Sequence, residues 1–253
     1  MWLSAKVAGV RRMWNGSFER FARTPTLAIV RYMADLSARL SKLVKLEKEL
    51  TRKAAHIIQP NAPMYIVDWF VMGAAQRTLA QSRGFRSMIE TSNFPSAAIL
   101  LRTQIDTAMR INGLRYLDEP EDQLLEVFEG KKTFRNLFSW QKTEKDKPIA
   151  MHDKKLREWL QEDEPWIERI YEKTSDFVHL SFRPLFASIQ HLDDNERVAY
   201  FAITGEDNAK DETNYYEICD AFFDVSKLTC TSILAALLAR HAPDTAGDRS
   251  LKI

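Results

Sequence analysis

Arg102, Asp106 and Arg110 recur at i, i+4 and i+8 within an otherwise apolar stretch, FPSAAILLRTQIDTAMRINGLRYL, residues 94–117. At helical spacing they stack along one line. Charges on such a line must be paired or must open onto a cleft, because a buried charge without a partner is strongly destabilising. Two readings follow. An aspartate bracketed by two guanidiniums can be an intrahelical ion network that does nothing but stabilise. It can also be an anion pocket, in which Asp106 fixes the guanidinium planes so that their forks meet a carboxylate or phosphate.

Tyr171, Ser175 and His179 form a second line at the same spacing. His179 reads either as a satisfied core or rim histidine, or as an acid or base whose pKa nearby arginines would lower. Thr174 and Ser181 are small enough to let this helix approach a neighbour closely. The two lines are therefore predicted to share one polar pocket, each satisfying the other across a helix–helix contact.

Other chemistries find little support. The five histidines, at 56, 152, 179, 191 and 241, show no HxxxH or HExxH spacing, and Cys219 and Cys230 are not in a CxxC pair. No metal site is expected, and nothing calls for a cofactor. No GxxxxGK[ST], GxGxxG or GxSxG pattern occurs. The two cysteines read as small buried hydrophobes in a reducing compartment. A net charge of +1 does not favour nucleic acid as the partner, although a local basic patch could take it.

The elements that must position these residues are helical. Eight glycines and nine prolines in 253 residues leave short loops, and apolar residues recur at helical periods. The 94–117 segment is apolar on two opposite faces, with Ala98, Leu101, Ile105, Ala108, Met109 and Tyr116 on one side and Ile99, Leu100, Ile111, Leu114 and Leu117 on the other. A two-faced helix belongs in the interior. Asn93 caps it, with Pro95 in its first turn. Before it, Thr26 opens a helix to about Ile58 with Leu36, Leu40, Leu43, Leu46 (or Glu47) and Leu50 inward. Another helix runs from about Tyr65 to Thr91, with Trp69, Met72 (or Gly73), Gln76, Leu79, Arg83 and Arg86 along successive turns.

After Leu117, Asp118 and Pro120 open a short helix closed by Gly130. QKTEKDKP (141–148) reads as a mobile loop. Asp153 caps KKLREWLQED. Glu164-Pro165 starts WIERIYEKTSDFVHLSF, which buries Trp166, Ile167, Ile170, Tyr171, Thr174, Phe177, Val178 and Ser181 and ends at Pro184. Alternating residues around Asp193-Asp194-Asn195 predict a small β-hairpin over about 185–203. A last helix spans about Glu212–Arg240, with Tyr216, Cys219, Phe222 (or Phe223), Ser226, Leu228, Ile233 and Leu237 inward. The expectation is an all-α domain over 26–240, a single bundle of four or five long helices carrying one hairpin. It is flanked by a basic arm (1–25; Lys6, Arg11, Arg12, Arg20 and Arg23 against Glu19) and a disordered tail (241–253). The arm reads as dispensable for folding, and lacks the features of a signal peptide. No uninterrupted apolar run reaches the roughly 18 residues of a membrane span, so we expect a cytoplasmic protein.

RGFRSMIETSNFPSAAILLRTQIDTAMR together with IYEKTSDFVHLS resembles a family of uncharacterised bacterial helical proteins, loosely grouped with HEPN-like and abortive-infection domains. The resemblance covers about the middle half of the chain. It implies a helical bundle with Arg102, Asp106, Arg110, Ser175 and His179 as family-typical polar positions. Active HEPN ribonucleases carry an Arg followed four to six residues later by His on one helix. Here Arg183 and His191 are too far apart and Pro184 intervenes. The expected function is a helical regulatory module in phage defence or a toxin-like system. Its polar cluster (Arg102, Asp106, Arg110, Tyr171, Ser175, His179) would take a protein partner or a small anionic ligand, with a homodimer left open. The alternative is a metal-independent HEPN-like ribonuclease in which Arg102 or Arg110 steadies the scissile phosphate and His179 moves protons.

Overall fold

The computed structural model describes residues 2–6, 26–179, 189–193, 195–203 and 211–243. Most of the basic arm (7–25), Ser181, Arg183, Pro184 and the tail beyond 243 lie outside the described residues.

Seven α-helices order the described chain: α1 (Thr26–Ile57), α2 (Ile66–Glu90), α3 (Phe94–Gly113), α4 (Pro120–Phe128), α5 (Asp153–Asp163), α6 (Trp166–Val178) and α7 (Glu212–His241). The two-faced segment is the hub. α3 packs against α2, α5, α6 and α7. Leu101, Ile105, Ala108, Met109 and Ile111 are all buried, while Leu100 is partly so. Asn93 caps α3 through its side-chain oxygen, which accepts from the Ser96 N–H at 3.2 Å. The Leu36, Leu40, Leu43, Leu46 and Leu50 stripe of α1 is buried, and α1 lies along α7. Phe85 of α2 stacks on Phe222 of α7, with ring centroids 3.9 Å apart. Gln104 is a fully buried polar pin at the centre. Its amide donates to Thr78 of α2 at 3.3 Å and Thr229 of α7 at 3.2 Å, so its burial leaves no donor stranded.

The architecture is mainly helical, but a bundle of four or five long helices with one hairpin does not describe it. Only α1, α2, α3 and α7 have 20 or more residues; α4, α5 and α6 have 9, 11 and 13 and act as braces. Gly113 is where one brace comes close: a Cβ there would sit 2.7 Å from Leu156 of α5. Strands β1 (Trp2–Lys6), β4 (Ile189–Asp193) and β5 (Val198–Ala202) form an antiparallel sheet in the order β1-β5-β4. The β4–β5 pair is the expected hairpin. The start of the basic arm adds a strand to it, with Trp2 opposite Ala202 and Lys6 opposite Val198. A second hairpin, β2 (Phe138–Lys142) and β3 (Pro148–Ala150), replaces the expected mobile loop. Its turn is held by Thr143, whose N–H donates to Lys147 O at 2.8 Å and whose hydroxyl accepts from the Lys147 N–H at 3.2 Å.

α7 bears on the expectation of no membrane span. It is long and apolar enough to cross a bilayer by length and composition, and half of its apolar window is buried inside the protein. Scoring only unbroken apolar runs overlooks it, because Ser226, Thr229 and other small polar residues interrupt the run. Phe222, Ile233 and Leu237 face the core. Cys219 and Cys230 are buried and unbonded to one another, and burial pushes both thiols up to about 12.

Candidate functional site

The polar line of α3 divides between two environments. Its first member, Arg102, turns towards α6. The guanidinium lies over the Tyr171 ring, 3.7 Å from its centroid, and its Nε donates to Ser175 Oγ at 3.4 Å. Arg157 of α5 stands 4.7 Å from the centre of the same ring. Arg102 Nη1 also donates to Asp106 Oδ1. The side chain is only 12% exposed, so this guanidinium is held by an aromatic face, a hydroxyl and a carboxylate together. Thr174, buried at the α3–α6 contact, allows the approach.

The expected pairing of the two lines is therefore present for Arg102, Asp106, Tyr171 and Ser175. His179 is the departure. α6 ends at Val178, and His179 is its C-terminal cap with extended backbone (φ −102°, ψ 144°). Once the helix stops, the i+8 position no longer lies on the Tyr171–Ser175 edge. The His179 side chain is exposed and makes no contact with the Arg102 cluster among the described residues. Val178, the last residue of α6, was expected inward and is exposed.

Arg110, at the other end of the line, donates to Asp106 O at 3.1 Å and to Asp153 Oδ1 at 3.0 Å, and stands 3.8 Å from Asp106 Oδ1. Asp153 is thus the first residue of α5 and an ion-pair partner, not its cap. His152 takes the capping role, accepting the Lys155 N–H on Nδ1 at 3.1 Å. The imidazole nitrogen satisfies an orphan amide, leaving the carboxylate free for Arg110.

Asp106 and Arg110 also line a cleft of about 450 Å³ between α2, α3 and α4. α2 contributes Trp69, Phe70, Gly73, Ala74 and Arg77; α3 adds Thr107 and Ile111; α4 adds Phe128. Trp69 and Phe128 meet edge to face with centroids 6.0 Å apart, and both remain about half exposed. Arg77 Nε donates to Thr107 Oγ1 at 3.0 Å, and the Gln81 side-chain carbonyl, in its hydrogen-bonded orientation, lies 3.1 Å from Nε and 3.3 Å from Nη2. Among the described residues Arg77 has no carboxylate partner. Arg102 and Arg110 thus share the carboxylates of Asp106 and Asp153, and Arg77 lines the same cleft as Asp106 and Arg110. Arg77 and Gly73 were not singled out as site residues. The signal was present in the i, i+4, i+8 spacing of Trp69, Gly73 and Arg77 along one face of α2.

A second cluster was missed altogether. Asp68, at the start of α2, has no exposed surface. Its carboxylate accepts from the Tyr65 N–H at 2.8 Å and from Arg240 Nε at 2.7 Å, and lies 3.1 Å from His241 Nε2. Arg240 continues to Glu121 of α4 at 2.6 Å, and Glu121 accepts the Val67 N–H at 3.2 Å. Burial would raise the Asp68 carboxyl, but the Arg240 and Tyr65 hydrogen bonds and the Arg240 and His241 charges outweigh it and hold it below the usual aspartate range. This latch ties the ends of α2, α4 and α7 beside the cleft. Among the described residues no group of three His, Cys, Asp or Glu could hold a metal ion.

The chain matches no family model, no curated protein and no solved structure.

Proposed function

We propose that the protein is a helical ligand-binding module that takes a small anionic molecule in the α2–α3–α4 cleft. The observation that carries this reading is Arg77, a guanidinium oriented by Thr107 into a cleft and lacking a carboxylate. An arginine fixed in direction by Thr107 and Gln81 but lacking a carboxylate keeps its remaining guanidinium N–H groups for an incoming carboxylate or phosphate. The cleft's size and mixed lining, aromatic with a few convergent polar groups, are those of small-molecule sites. Arg102 is absorbed by Tyr171, Ser175 and Asp106, so it supports the site through Asp106 and does not itself face the ligand.

The resemblance to HEPN-like and abortive-infection proteins supports a regulatory setting in phage defence or a toxin-like system. The ribonuclease alternative needs Arg102 or Arg110 together with His179, and no contact between His179 and either arginine supports it among the described residues. A thermal-shift series against inorganic phosphate, a nucleoside monophosphate and simple carboxylates tests the reading. We expect at least one anion to raise Tm in the native chain and to lose that effect in Arg77→Gln. If no anion does so at millimolar concentration, the reading fails.

A further inference from the structure

Resting on that reading, we infer that the cleft takes a flat, ring-containing monocarboxylate laid along the Trp69–Gly73–Arg77 face of α2, its ring against the bare backbone at Gly73. Glycine in the middle of a helix is less favourable than alanine by about 0.5–1 kcal/mol, so an interior glycine needs a reason. At Gly113 the reason is close packing against Leu156. Gly73 has none of that kind. A Cβ built there meets nothing within 4 Å, and the backbone is ordinary helix. What the missing side chain leaves is bare, exposed backbone as the floor between Trp69 and Arg77.

The lining on either side of that floor sets the ligand's chemistry. One turn towards the N-terminus stands Trp69, with Phe128 edge to face against it from α4. Phe70 is fixed from behind by a stack on Phe134, centroids 5.3 Å apart. One turn towards the C-terminus stands Arg77, and across the cleft Arg110. The line from Trp69 to Arg77 is two helical turns, about 12 Å. A molecule lying on it meets aromatic faces at one end, bare peptide at the middle and a guanidinium at the other. Flat rings suit the edge-to-face wall, and a planar carboxylate matches the guanidinium fork. Arg77, the lining guanidinium without a carboxylate partner among the described residues, calls for a single negative charge.

Calorimetric titration of the full chain with 2-naphthoate, 2-naphthamide and inorganic phosphate tests this. We expect saturable one-to-one binding of 2-naphthoate. Binding should weaken about tenfold or more for the neutral amide, for phosphate, and for the naphthoate with Arg77→Gln. Gly73→Leu, whose Cβ meets no neighbour within 4 Å and whose side chain covers the floor, should abolish naphthoate binding while keeping a cooperative melt. Phosphate binding through Arg77 as tightly as naphthoate would keep the anion reading and overturn the ring. Equal binding of the amide would overturn the carboxylate, and undiminished naphthoate binding by Gly73→Leu would overturn the placement. Should Gly73→Leu not fold, Trp69→Ala decides: unchanged naphthoate affinity overturns the aromatic wall. Binding of none of the three overturns this inference, while the anion reading is decided separately by the thermal-shift series.

Discussion

Replacing Asp68 by asparagine keeps the shape of the side chain and removes its charge, which isolates what the buried latch contributes. In the native protein the carboxylate has no exposed surface and meets Arg240, His241 and the Tyr65 amide. Breaking a buried ion pair on one side costs about 3–5 kcal/mol when the other charge is stranded. Arg240 is not fully stranded, because it keeps Glu121 and is partly exposed. Asparagine can also still accept the Tyr65 N–H. We therefore expect about 2–4 kcal/mol of destabilisation at pH 7. For a chain of this size that corresponds to a fall in Tm of roughly 4–16 °C. The pH dependence has a definite sign. Asp68 is held below its ordinary value when folded, so its contribution is complete above the unfolded aspartate pKa of about 3.9. It is lost as the pH falls through the lower folded value, where the protonated native residue resembles asparagine. Urea melts of native and Asp68→Asn protein from pH 7 down to pH 3 should show two midpoints whose gap is constant near neutrality and narrows once the pH falls below about 4. A gap below about 0.5 kcal/mol at pH 7, or one that persists unchanged into acid, would refute the latch.

Gly73→Ala should stabilise the protein by about 0.5–1 kcal/mol, read as a higher urea midpoint, because it fills open space in a helix interior. Arg102→Met should cost about 1–2 kcal/mol, the sum of a partly buried cation–π contact and charge-assisted hydrogen bonds, with Asp106 retaining Arg110. His179→Ala should change stability by less than about 0.5 kcal/mol, since the side chain is exposed; a larger loss in a thermal melt would place it in the core. Cys219 and Cys230 should react with a thiol reagent at pH 8 only after urea is added, because both are buried with thiols pushed up to about 12.

The sequence was legible where a local rule decides the outcome. The two-faced pattern of 94–117 places α3 in the interior, the leucine rhythm gives the buried stripe of α1, and Asn93 before a proline marks a helix start. The Arg102–Ser175 contact was also legible, because two polar lines on apolar helices must satisfy each other. Long-range pairing was not. Asp68 looks like an ordinary acid in a helix's first turn, where the dipole favours it; its side-chain partners lie 172 and 173 residues away, at Arg240 and His241. Helix ends were weakly signalled too. Nothing in EKTSDFVHLSF stops a helix before Pro184, so the extended backbone at His179 was unexpected. QKTEKDKP has turn chemistry, which is equally the chemistry of a hairpin tip, and its strands carry too little alternation to be read. Trp2–Lys6 gains its strand from β5, a partner nearly two hundred residues away.

The claim that the cleft, and not the Arg102 cluster, is the binding site can be tested by one measurement. Backbone amide shifts of isotope-labelled protein are followed during titration with 2-naphthoate. The account predicts the largest changes over residues 69–77 of α2 and 106–111 of α3, Gly73 among them, with Tyr171 and Ser175 of α6 nearly still. Large changes at Arg102, Tyr171 and Ser175 with Gly73 and Arg77 unmoved would contradict it.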